Sequence, residues 1–221
     1  MRTFFGALVL AIVAAPLAAQ QDVPARLAGR VPPDVATLVR QLATSAAARG
    51  LPVDPLIQKA IEGSAKGVPS ARVATALRGL VAQLDVAAAA LRDAGSTPPD
   101  TDAIAAGAFA VNAGLSGKDV TALAVASRPS NNVPATLRVA STLAAMGVPP
   151  AQTVELVTNV IDAGGSTADV LALPTQVMAG VSEGRGRGRD VTPAQAAAGL
   201  SRAAAAHANA PGQNKPKPGK P

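Results

Sequence analysis

The chain of 221 residues has no cysteine, no tryptophan, no tyrosine, one histidine and three phenylalanines. Without cysteine there is no disulfide framework, no thiolate nucleophile, no cysteine-ligated zinc and no lipid anchor on cysteine. The shortage of aromatics constrains the core as well. Phe4 and Phe5 lie at the extreme N-terminus, which leaves Phe109 as the one aromatic for the rest of the chain. Leucine, valine, isoleucine and abundant alanine must fill the interior, and that composition favours slender helices in close approach over sandwiches or barrels.

Catalytic chemistry is equally short of material. The one histidine, His207, has no second histidine or carboxylate beside it and reads as a surface residue rather than a metal ligand or general base. No Gly-x-Ser-x-Gly elbow occurs, and no Walker lysine or dinucleotide fingerprint accompanies Gly164-Gly165-Ser166. Asp34, Asp54, Asp100, Asp119 and Asp169 fall at helix starts, where capping and first-turn electrostatics account for them. Glu62 stands at helical spacing from Lys59 and Lys66 and reads as a surface ion-pair member. Glu155, between Val154 and Leu156, is harder to place. It is the acid through which a helical periplasmic hydrolase of carbohydrate or cell-wall material would act, although one phenylalanine is poor provision for sugar platforms. A carrier of small apolar ligands is a further alternative. No motif implies a cofactor or a metal.

The N-terminus carries the clearest address. Met1-Arg2 is a short positive region, Phe4 to Ala15 an apolar run, and Pro16-Leu17-Ala18-Ala19 precedes the polar Gln20-Gln21-Asp22. That layout predicts a signal peptide over residues 1–19, cleaved after Ala19. The run falls short of the roughly 17 to 25 residues a membrane span needs, so the processed chain is not expected to be an integral membrane protein. Export without disulfides fits a bacterial periplasm or the extracellular medium.

Residues 20–183 predict an alanine-rich domain of many helices. Its segments share one grammar. An apolar-proline pair (Val31-Pro32, Leu51-Pro52, Val68-Pro69, Val133-Pro134, Val148-Pro149) or a polar cap opens each, and a glycine closes most: Gly50, Gly67, Gly95, Gly114, Gly147, Gly164 and Gly184. Asp54-Pro55 reads as a cap followed by proline at the first helical position. Thr97 to Asp100, Ser116 to Asp119, Ser166 to Asp169 and Thr192 to Gln195 have capping-box spacing. Apolar stripes follow at three and four residues, the longest being Val73, Leu77, Leu80, Val81, Leu84, Ala88 and Leu91. Pro174 is expected to kink or break the helix after Ser166. Gly63 is expected where another helix crosses closely. Segments this short are unstable alone and must stack. The fold class is therefore all-α, with short antiparallel or orthogonal helices in a compact bundle or short α-solenoid and a flexible basic C-terminal extension.

Charge is segregated. Gln21 to Glu183 holds twelve basic and thirteen acidic residues, a net charge of −1, whereas Gly184 to Pro221 holds seven basic and one acidic, a net +6. Residues 184–192, with alternating glycine and arginine, predict a mobile connector, residues 193–208 a weak helix with little to bury, and residues 209–221 a disordered basic tail. Arg185, Arg187, Arg189, Lys215, Lys217 and Lys220 are the candidate contacts to an anionic envelope surface. Export argues against nucleic acid as the partner of the Arg-Gly stretch. The functional expectation is a non-enzymatic exported structural or protein-interaction module, its partner a protein or an anionic envelope surface, its oligomeric state open.

Overall fold

The computed structural model describes residues 23–127 and 131–209. The expected leader at residues 1–19 and the tail lysines Lys215, Lys217 and Lys220 lie outside them. Among the described residues the fold is all-α: ten helices in a compact bundle. They are α1 (residues 23–27), α2 (Pro33–Ala48), α3 (Asp54–Ala65), α4 (Ser70–Asp93), α5 (Thr101–Asn112), α6 (Gly117–Ser127), α7 (Val133–Ala145), α8 (Pro150–Asp162), α9 (Thr167–Gly186) and α10 (Pro193–Ala208).

The joints explain the recurrent Gly-apolar-Pro wording. At the end of α2 the Gly50 N–H donates to Ala47 O and the Leu51 N–H to Ala46 O, each at 3.0 Å, with Gly50 at φ +72°. A side chain at that φ would strain the backbone, so glycine is needed to complete the motif. The next residue, Leu51, is buried, and Pro52 follows, unable to continue the helix. Val68 and Val148 repeat the arrangement before Pro69 and Pro149. The apolar member of these three pairs thus belongs to the joint left behind, and the proline faces forward, whereas Val133 of Val133-Pro134 is already the first residue of α7, capped by Asn132.

Among the capping boxes, Ser116–Asp119, Ser166–Asp169 and Thr192–Gln195 form with reciprocal hydrogen bonds. Asp169 is held below its ordinary value first by the Ser166 hydroxyl and then by the Ser166 backbone N–H. Thr97–Asp100 does not form one. Proline disfavours helical backbone in the residue before it, so Pro98-Pro99 delays the start, and Asp100 itself caps α5 by accepting from the N–H groups of Asp102 and Ala103. Asp54 lies one residue inside α3 rather than at its cap, and its carboxylate pairs with Arg26 of α1.

Packing runs in two rows. Helices α2, α4, α6, α8 and α10 touch in succession, as do α5, α7 and α9, and every substantial contact joins a helix to its first or second neighbour in chain order. The core is aliphatic, with Leu56, Leu77, Leu84, Leu91, Ile104, Leu123, Leu137, Leu143 and Leu156 fully buried. The long helix α4 is apolar enough, by length and composition, to cross a membrane; here it is the central core helix, touching α2, α3, α5 and α6. Small residues set the closest approaches. A Cβ on Gly63 would stand 2.9 Å from a methyl of Val73, so α3 takes that side chain against its backbone, and one on Gly107 would stand 2.9 Å from the Ala87 methyl, so α4 and α5 meet nearly backbone to backbone.

Three further sequence expectations change. Helix α9 runs unbroken through Pro174. It also continues through Gly184, so the expected connector at residues 184–192 begins as helix. Gly184 is buried, and the place of its missing Cβ is taken by the side chain of Val191. The terminating glycine is Gly188 at φ +69°, with Arg189 N–H bonded to Gly184 O. Finally, α10 is not a weak appendage. Ala197 and Ser201 are buried, Ala196 and Leu200 pack on the core, and the helix lies against α8 and α9.

One buried hydroxyl stands out. Thr136 in α7 is fully buried and its Oγ1 has no hydrogen-bond partner among the described residues. Desolvating a hydroxyl without a bond is unfavourable, and valine has the same shape without the oxygen. Thr136→Val is expected to stabilise the fold by about 1 kcal/mol, raising Tm by roughly 2–4 °C in a scanning calorimetry comparison.

Candidate functional site

Helix α5 is buried over most of its circumference by Ala103, Ile104, Ala106, Ala108 and Ala110, because α4 flanks it on one side and α7 on the other. The strip left outside runs through Thr101, Asp102, Phe109 and Asn112. The one aromatic beyond residue 5 is therefore not in the core: Phe109 is 47% exposed. Burying such a side chain fully is worth about 2–3 kcal/mol, so leaving it half in water forgoes on the order of 1 kcal/mol.

Phe109 stands where α3 and α5 both lie on α4 without packing substantially on each other. Two adjoining depressions open there, of about 310 and 300 Å³, sharing Pro55, Gln58 and Phe109. A third, of about 250 Å³, extends the trough along α3 past Lys59, Glu62 and Lys66. The floor under Phe109 includes Ala76, Gly79 and Leu80 of α4. Gly79 is unlike Gly63 and Gly107. A Cβ placed on it would meet nothing within 4 Å, so no neighbouring helix requires glycine there. Glycine inside a helix costs about 1 kcal/mol relative to alanine. In α4 that cost secures no packing; what it leaves is an open trough.

Three primary amides surround Phe109: Gln58 from α3, Gln83 from α4 and Asn112 from α5. Gln83 Nε2 donates to Asn112 Oδ1 at 3.1 Å, leaving Gln83 Oε1 and Asn112 Nδ2 without a partner among the described residues, as is Gln58. An amide side chain offers both a donor and an acceptor, the same complement as a peptide group. Charges on the walls are mostly neutralised. Asp54 pairs with Arg26, Asp102 with Arg138 and Glu62 with Lys66. The Glu62 carboxyl is lowered chiefly by its hydrogen bond from Lys66, then by the charges of Lys66 and Lys59. Exposed pairs of this kind are screened by water and contribute little. Beside these charges the trough presents an aromatic ring and three amides.

The residues expected from sequence are arranged otherwise. Arg185 is in the last turn of α9, Arg187 caps it and Arg189 follows; all three are exposed. Glu155 accepts a hydrogen bond from Ser201 Oγ at 3.1 Å, and Asn159 Nδ2 donates to the same hydroxyl at 2.8 Å, so Glu155 helps to seat α10 on α8. His207 lines a depression of about 370 Å³ with Asp169 and Gln176, and Glu62 makes the expected pair with Lys66. Among the described residues no group of three histidine, aspartate or glutamate side chains is placed to hold a metal ion.

Sequence reasoning missed Phe109, Gly79 and the amides. A helical wheel contained a signal for the first. At 100° per residue Phe109 lies about 140° from Ile104, the large buried residue of α5, and shares its face with Asp102 and Asn112. No family model matches the chain, and no curated protein or solved structure matches it either.

Proposed function

We propose that the protein is a non-enzymatic, exported interaction module that binds an extended segment of a partner protein in the trough between α3 and α5. The observation that carries this reading is the half-exposed Phe109 above the opening at Gly79. An apolar partner side chain would cover the ring, while Gln58, Gln83 and Asn112 bond to the partner's main chain. Contacts limited to first and second neighbours support reading the bundle as a short α-solenoid, an architecture whose open surface suits extended ligands. Export rests on the leader-like residues 1–19. In the same reading Arg185, Arg187, Arg189 and the tail lysines Lys215, Lys217 and Lys220 form a secondary contact to anionic envelope surfaces.

The test is to pan a display library of random dodecapeptides on the protein and measure the enriched peptides by fluorescence anisotropy. Phe109→Ala is expected to weaken their binding at least tenfold while lowering Tm by only roughly 2–4 °C, because the ring is already half in water. Peptides that bind Phe109→Ala as well as the wild type, or no enrichment at all, would overturn the reading.

A further inference from the structure

Helix α9 carries two apolar faces. Val170, Leu173, Val177 and Val181 are buried against the core. On the outside Leu171 is 53% and Met178 48% exposed. From Val170 to Ser182 the helix has no charged residue, so its outer face lacks the lysines and glutamates that ordinarily keep an exposed surface in water.

The outward stripe is Ala168, Leu171, Thr175, Met178 and Ser182, all exposed, at spacings of three and four. Its sizes read small, large, medium, large, small, nearly the same in both directions about Thr175. In an antiparallel two-fold pair this order sets Leu171 of one copy against Met178 of the other, twice, with the small ends facing each other. Charge fits the same direction. Arg185, Arg187 and Arg189 outnumber Glu183 and Asp190 at the C-terminal end, whereas Asp162 and Asp169 at the N-terminal end have no lysine or arginine near them in sequence. Antiparallel pairing sets a net-positive end beside a net-negative end twice over; parallel pairing would set the arginines together.

We infer that α9 is a homodimer surface, pairing antiparallel with α9 of a second copy of this chain about an axis near Thr175. This inference is independent of the trough, which lies on α3, α4 and α5. A seam of two helices buries less than the roughly 1,600 Å² of a standard interface, so the dimer is weak, with a Kd on the order of 10–100 µM.

Sedimentation equilibrium of the full chain from about 5 to 300 µM tests it. Wild type is expected to pass from monomer to dimer over that range, and Leu171→Glu or Met178→Lys alone to remain monomeric with unchanged circular dichroism. Combining the two substitutions sets the introduced carboxylate of one copy against the introduced ammonium of the other, and the double variant is expected to dimerise again, now in a salt-sensitive way. Since the chain has no cysteine, Thr175→Cys supplies a single thiol beside the axis. A short bismaleimide should join Thr175→Cys chains but not Ala168→Cys chains, whose thiols would stand about 21 Å apart in the antiparallel pair. A wild type that stays monomeric at the top concentration, single variants that dimerise normally, or cross-linking at position 168 in place of 175 would each overturn the inference.

Discussion

Gly107→Val is expected to destabilise the fold by about 3 kcal/mol, lowering Tm by roughly 6–12 °C in calorimetry or urea titration. Its Cβ would stand 2.9 Å from the Ala87 methyl and 3.4 Å from a methyl of Val120, with the Ala87 Cα behind at 3.8 Å. Neither alanine methyl nor backbone has a rotamer to yield, so α4 and α5 must separate. The gain in helix propensity from replacing glycine recovers only a few tenths of a kcal/mol. Gly107→Ala should fall between, because one methyl forces a smaller shift against about 1 kcal/mol of recovered propensity.

Gly79→Leu is expected to act in the opposite sense on stability while weakening peptide binding at least tenfold. The same helix propensity gain applies, now with no clash at the Cβ, and the depression of about 310 Å³ that Gly79 lines gives room for the rest of the side chain. The variant should be more stable than wild type by about 0.5–1 kcal/mol, with Tm raised by roughly 2–4 °C. Its isobutyl group would stand in the trough beneath Phe109, and peptides selected on wild type should lose at least tenfold in affinity. A variant that folds better and binds worse separates a binding surface from a structural one more cleanly than any destabilised mutant. If Gly79→Leu retained full peptide affinity, the floor at Gly79 would not be part of the site.

The contrast between these glycines shows where sequence stops being legible. The Gly-Leu-Pro and Gly-Val-Pro joints act within a few residues through φ and a missing N–H, and they are readable without tertiary structure. The long stripe of α4 is readable too, since Val73, Leu77, Leu84 and Leu91 follow one helical face. Gly63 is read from sequence as a close crossing and Gly184 as a terminator, while Gly79 and Gly107 carry no such signal; what separates all four in the fold is the neighbour that a Cβ would meet: Val73, nothing, Ala87 and Val191. Gly184 reads as a terminator because its partner Val191 arrives from a turn that the helix end itself creates. The seating of α10 is hidden for a related reason, since Ser201 meets Asn159 and Glu155 across 42 and 46 residues. The same bond gives Glu155, which no local rule explains, a place in helix docking. Of the candidate site, Phe109 is recoverable from its position on the wheel, whereas the trough depends on α3 and α5 failing to meet over α4.

Phe109 can also be watched alone. With Phe4→Leu and Phe5→Leu, incorporation of 3-fluorophenylalanine labels a single site. Titrating that protein with a peptide selected on the wild type should move the one fluorine resonance in a saturable way, with the Kd found by anisotropy. A peptide that saturates the protein while the Phe109 resonance stays where it was would contradict the placement of the binding surface between α3 and α5.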